Sequence, residues 1–176
     1  MLLKLKRTPG IYLVGFMGCG KSTLGRLLAH SIGWRFCDLD ADIEKAQNAS
    51  IARIFEVHGE AGFRRLEAEA IRACVRKVER GEPAVLALGG GAFVQPDNYA
   101  LLEHNGVSIW LDCPFDIIAS RVRLNGNRPL ARDLDALRVL YSERRKAYEL
   151  ADFRLEIRAA EPEDNLAALL ELPLFK

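Results

Sequence analysis

The segment Gly15-Phe16-Met17-Gly18-Cys19-Gly20-Lys21-Ser22 constrains this chain more than any other feature. It fits G-x-x-x-x-G-K-[ST] at every fixed position. Ile11-Tyr12-Leu13-Val14, directly before it, is a short apolar run that reads as a buried strand. Leu24, Leu27, Leu28 and Ile32 follow at helical spacing until Gly33, so residues 21–32 read as a helix. A glycine-rich loop between strand and helix lets successive N–H groups point at phosphate oxygens. The helix start adds its positive dipole end. Gly18, Cys19, Gly20, Lys21, Ser22 and Thr23 are therefore phosphate-binding candidates, with Lys21 neutralising the β- and γ-phosphates and the Ser22 hydroxyl ligating Mg²⁺. Cys19, a thiol beside a lysine at a helix start, is expected to be sensitive to oxidation or alkylation.

Further strands follow as apolar runs at Ala84–Leu88 and Val107–Leu111, a last strand is expected at Phe153–Ile157, and a weaker one at Arg35–Cys37. Helical patterns separate them, at about 41–47, 51–57, 60–80, 96–104, 114–124, 134–150 and from 162. On the helix at 60–80, the expected apolar face is Phe63, Leu66, Ala70, Ile71, Cys74 and Val78. Strands alternating with helices predict an α/β architecture with a parallel sheet covered on both faces. Ligands then sit beyond the carboxyl ends of the strands.

With 176 residues and no repeat or linker, the chain reads as one domain, 1–176. A net charge of +1 argues against nucleic acid as a partner. No apolar run approaches the ~20 residues of a membrane span, and charges interrupt the first residues, so a cytoplasmic protein is expected. Cys19, Cys37, Cys74 and Cys113 lack the spacing of a zinc finger or disulfide framework, and reduced thiols are expected.

Four features address the acceptor of a phosphoryl group. Asp38 and Asp40, two apart on an extended chain, would face one site, one carboxylate near the metal's water shell and one accepting a hydroxyl proton. Read alone, Asp40 fits a helix cap equally well. Gly89-Gly90-Gly91 fits a ligand against bare backbone, an anion nest, or an ordinary turn. Arg64 and Glu67 are one helical turn apart, fitting either a solvated pair or a carboxylate fork. Residues 119–132 hold Arg121, Arg123, Arg128 and Arg132 with no acidic residue, as suits a mobile lid over phosphates at about 119–133.

Taken in order, Gly18–Arg26, Asp38-Leu39-Asp40, Gly62–Glu67, Gly89–Gly91, Arg128-Pro129-Leu130, and Arg144 four residues before Tyr148 resemble the shikimate kinases from about residue 10 to 171. That resemblance implies a three-layer P-loop kinase fold like that of nucleoside monophosphate kinases, with a five-stranded parallel sheet in order 2-3-1-4-5. It implies ATP-dependent phosphorylation of the shikimate 3-hydroxyl, on the route to chorismate, by a monomer. By carry-over, Lys21, Asp40 and Arg128 are catalytic. Asp40, Arg64, Gly89, Gly90, Gly91 and Arg144 bind shikimate, with Arg64 and Arg144 on its carboxylate. Ser22 and Asp38 hold Mg²⁺, residues 18–23 and Arg128 hold ATP, and Arg158 is the candidate at the adenine.

Three departures stand out: Cys19 in the loop, the short segment between Arg128 and Arg144, and the C-terminal adenine region. Asp112, which ends a strand, is expected to cap the helix at Pro114. A gluconate or nucleotide kinase of the same fold, and a nucleotide-binding module without transfer, are the competing readings. Arg64, Arg144 and the glycine run argue against the first, and Lys21, Asp40 and Arg128 together against the second.

Overall fold

A computed structural model describes residues 10–124, 133–158 and 161–176. Its five-stranded sheet has the order β2-β3-β1-β4-β5, with every pairing parallel, as expected. The strands are β1 (Gly10–Val14), β2 (Arg35–Asp38), β3 (Ala84–Ala87), β4 (Val107–Asp112) and β5 (Phe153–Glu156). The three central strands, β1, β3 and β4, are buried at every position, which is why they read as mostly apolar runs, with Ser108 and Asp112 the polar residues of β4. The edge strands β2 and β5 are only partly covered, and their sequences mix polar with apolar residues accordingly.

Helices α1 (Lys21–Ile32), α2 (Leu39–Gln47), α3 (Ile51–Glu79), α4 (Pro96–Asn105), α5 (Phe115–Leu124), α6 (Leu134–Tyr148) and α7 (Pro162–Leu170) connect or flank the strands. Their core includes Ile11, Leu13, Leu28, Ile71, Val85 and Ile109, all fully buried. Burying each such side chain is worth about 1.5–3 kcal/mol, so strand and helix formation are driven by this shared interior. Among the described residues, no helix is long and apolar enough to cross a membrane.

The two helices expected at 51–57 and 60–80 form one element, α3, bent at Gly59. Gly59 has φ +64° and ψ −177°, a conformation that only glycine reaches without strain. The bend lets the residues after it turn inward. On this stretch the buried positions are Phe63, Glu67, Ile71, Val75 and Val78. Leu66, Ala70 and Cys74, expected on the same face, are only partly buried because the stripe is rotated toward 67 and 75.

Candidate active site

The loop after β1 carries α1 on its far end, and its glycines turn it. Gly18 and Gly20 have φ +78° and +100°, in the left-handed region that favours glycine. Lys21 Nζ donates to the carbonyls of Gly15 and Phe16, both at 2.9 Å, which holds the ammonium over the loop. The Ser22 hydroxyl donates to Asp38 Oδ2 at 2.5 Å. Cys19 is buried, so its thiol lacks the exposure that the expected reactivity requires.

The acidic doublet is arranged differently from the sequence expectation. Asp38 ends β2 and caps α2, accepting the Ala41 N–H at 3.3 Å, whereas Asp40 lies in the first helical turn. The cap is thus Asp38, not Asp40, and the two are not neighbours on an extended chain. Both nevertheless line one cavity of about 360 Å³, shared with Lys21, Ser22, Thr23, Gly90 and Arg121.

The triple glycine at the end of β3 has a steric reason. A Cβ on Gly89 would lie 2.8 Å from Asp40 Oδ1 and 2.9 Å from Glu67 Oε1. On Gly90 it would lie 3.2 Å from Arg144 Nη1, and on Gly91 2.7 Å from Arg64 Nη2. None of the three has a φ in the left-handed region that favours glycine. The position demands an absent side chain, not unusual backbone freedom, so neither a plain turn nor a left-handed anion nest accounts for the run. Asp40 from α2, Arg64 and Glu67 from α3, and Arg144 from α6 converge there. The Tyr148 hydroxyl, one turn beyond Arg144, is buried and donates to the Gly90 carbonyl, pinning the run to α6.

Arg64 is not on a solvated helix face. Its Nη1 donates at 2.8 Å to Glu67, which is 1 % exposed, and its Nη2 donates at 3.3 Å to Glu60. Burial pushes the Glu67 carboxyl above the usual glutamate range; Arg64 pulls it back and the Asp40 charge adds to the rise. Sequence reading paired Glu67 with Arg64 but did not count it among the site residues. Its signal was present: Phe63, Glu67, Ile71 and Val75 repeat every four residues, so a carboxylate stands in an apolar stripe and needs a cation.

Arg121 was read as part of a basic lid. It lies on α5, which runs to Leu124, so the first residues of the expected 119–133 lid are helix. Its Nη1 donates to the Gly18 carbonyl at 3.0 Å. It also lines a smaller cavity of about 80 Å³ with Cys19, Gly20, Thr23, Ile157, Pro162 and Asn165. Arg158 is exposed, pairs with Glu156 and does not line that cavity. Arg128 and Arg132 lie outside the described residues.

Asp112 does not cap a helix. Its buried carboxylate accepts from Arg145 and Arg154, tying α6 and β5 to the end of β4. Thus Arg144 and Arg145, adjacent in sequence, have different partners: the glycine run after β3 and the Asp112 carboxylate at the end of β4.

The sequence model of the family described as shikimate kinase matches residues 17–172. A shikimate kinase of Geobacter metallireducens is 40 % identical over 162 residues, covering 90 % of this chain and 88 % of that protein. Among solved structures, a shikimate kinase from Acinetobacter baumannii in complex with shikimate superposes with a TM-score of 0.86 at 36 % identity, covering 94 % of this chain and 93 % of the other. One from Aquifex aeolicus gives a TM-score of 0.78 at 35 % identity, covering 92 % and 93 %. Loop, glycine run and converging arginines, together with this likeness over nearly the whole length, mean that the chain belongs to the shikimate kinase family.

Proposed function

We propose that this enzyme transfers the γ-phosphoryl group of ATP to the 3-hydroxyl of shikimate, with Asp40, Arg64 and Arg144 holding the acceptor. The observation that carries the reading is the meeting of these three groups at Gly89–Gly91, beside the cavity that Asp40 and Gly90 line together with Lys21 and Ser22 of the phosphate loop. The two guanidiniums suit a carboxylate, and Asp40 suits a hydroxyl. In the transfer, the 3-hydroxyl gives its proton to Asp40 and its oxygen bonds to the γ-phosphorus. The bond to the β–γ bridging oxygen breaks and ADP leaves. Lys21 and the loop N–H groups balance the charge on the phosphate oxygens.

The Ser22 hydroxyl and the Asp38 carboxylate, 2.5 Å apart, form a hard-oxygen pair at the helix start, which fits Mg²⁺ with waters completing its shell. Mg²⁺ there supplies positive charge to the phosphate oxygens. Arg128 is assigned to the lid from the sequence resemblance. The smaller cavity beside Arg121 and Pro162 is assigned to the base of the nucleotide. We take the working unit to be a monomer and a single domain in the cytoplasm, without nucleic-acid or membrane partners, as the sequence leads one to expect.

An ADP-release assay across shikimate, quinate, gluconate and nucleoside monophosphates tests the assignment. Turnover with shikimate is expected; transfer to gluconate or a nucleotide in its place overturns it. Two substitutions probe the acceptor geometry. In Gly91→Ala the new methyl meets the Arg64 guanidinium, which must move. The KM for shikimate should rise with the KM for ATP unchanged, and equal shikimate KM values would remove Arg64 from the site. In Glu67→Gln, Arg64 loses its buried charged partner and keeps only the exposed Glu60, so the shikimate KM should rise while the melting temperature at neutral pH holds or increases. The sign follows from the raised carboxyl: a folded value above the unfolded one favours the folded state at low pH, and that contribution is lost as pH rises through the folded value. The melting temperature of Glu67→Gln minus that of the parent should therefore grow as pH rises through that range, and a constant difference would contradict the sign.

A further inference from the structure

We propose that Cys37, Asp42 and Cys74 form a binding site for a thiophilic divalent cation of the zinc class, apart from the phosphoryl-transfer cleft. Cys37 lies on β2, Asp42 on α2 and Cys74 on α3. Their ligating atoms all lie within 4.8 Å of one another. Cys37 and Cys74 are half-buried and Asp42 is exposed, so two ligands are held by the fold and the third can adjust. Zinc–sulfur bonds near 2.3 Å in a tetrahedral shell put neighbouring ligands roughly 3.5–4 Å apart. The three groups thus close on an ion by side-chain rotation of about 1 Å or less. The exposed side leaves a fourth position for water.

The donor set decides which ion. Two sulfurs and one carboxylate suit zinc-class ions, whereas Mg²⁺ demands an all-oxygen octahedron. The nucleotide's own metal is therefore not a competitor. On binding, each thiol gives its proton to solvent and forms a sulfur–metal bond. Two thiolates and a carboxylate around a dication leave one negative charge. The cations at hand are Arg35, two residues before Cys37 and so on the same face of β2, and Lys77, one turn after Cys74. Arg35 gives Nη1 to Glu82, but its Nε and Nη2 are buried without an acceptor. The Arg35 side chain is partly exposed, but two of its guanidinium nitrogens are buried and unsatisfied near the thiol pair, which points to an anionic cluster there. The spacing concealed the site, since the ligands come from three elements and form no local Cys or His motif. An ion here fastens β2, α2 and α3 together, the elements that carry Asp38, Asp40, Arg64 and Glu67.

The test is titration of the reduced, metal-free full-length protein with Co²⁺, without nucleotide or Mg²⁺, followed by Zn²⁺. One equivalent of Co²⁺ should produce a thiolate-to-cobalt charge-transfer band that Zn²⁺ abolishes. Zn²⁺ should raise the melting temperature. Cys37→Ser and Cys74→Ser should lose the band, and Asp42→Asn should weaken binding roughly tenfold or more. Cys74→Ser should keep shikimate kinase activity, which separates this site from the catalytic reading. Absence of the band in the parent protein, or its survival in Cys74→Ser through Cys19 and Cys113, overturns the proposal. Where a serine variant fails to melt cooperatively, the exposed Asp42→Asn decides: unchanged Co²⁺ affinity overturns the three-ligand site.

Discussion

Converting Asp40 to asparagine is expected to lower kcat with shikimate by about 10²–10⁴-fold, the usual worth of a positioned general base. Asparagine keeps the size and can still accept one hydrogen bond, so the acceptor should bind. It cannot take the hydroxyl proton. Asp40 lies in the first turn of α2, with Oδ1 against Gly89, close to the buried Glu67 carboxyl. Nucleotide affinity, set at the loop, should be unchanged. Steady-state kinetics beside a direct nucleotide-binding titration provide the check. Normal turnover in Asp40→Asn would show that Asp40 neither takes nor orients the proton. A loss of ATP binding would show that the substitution disturbs Asp38 and the loop.

Lys21→Ala should cost about 10²–10³-fold in kcat, the range for removing one preorganised group from developing charge. The ammonium is held by two loop carbonyls at 2.9 Å, so it is positioned before any phosphate arrives. Removing it leaves phosphate charge uncompensated and also frees two carbonyls that help shape the loop. The melting temperature should therefore be measured alongside kcat, and an unchanged melt with depressed kcat is the expected pair. A kcat within the parental range would remove Lys21 from the transition state.

The stepwise loss across the glycine run offers a contrast. Alanine at Gly91 pushes on the movable end of Arg64, whereas alanine at Gly89 meets two carboxylates at once. Crowding at Gly91 thus reads out in acceptor binding alone. The run acts as three recesses on one strand end, each filled by charge from another helix.

Much of this was legible before any coordinates. The loop announced itself because phosphate binding needs glycines, a lysine and a hydroxyl at fixed local spacing, and local spacing survives in sequence. The central strands were legible because burial on both faces leaves them mostly apolar. The break near residue 59 was legible as the gap between the helical patterns at 51–57 and 60–80, although the structure makes it a bend within one helix.

Other features depended on contacts between distant segments. Glu67 stood in plain view on the apolar stripe, yet its meaning required Arg64 to turn inward after Gly59. Which of Arg144 and Arg145 enters the cleft was decided by the rotation of α6, which hands Arg145 to Asp112 and Arg144 to Gly90. Asp112 looked like a cap because a proline followed it, but two guanidiniums from α6 and β5 claim its carboxylate. Cys37, Asp42 and Cys74 met only through the packing of three elements. Sequence alone determined the phosphate loop and a parallel sheet, since these rest on local conformation and hydrophobic period, while the strand order came only with the family that the ordered motifs resemble. Tertiary structure alone decided which charges face one another, because pairing across α2, α3 and α6 is set by how the helices pack on the sheet and not by their spacing along the chain.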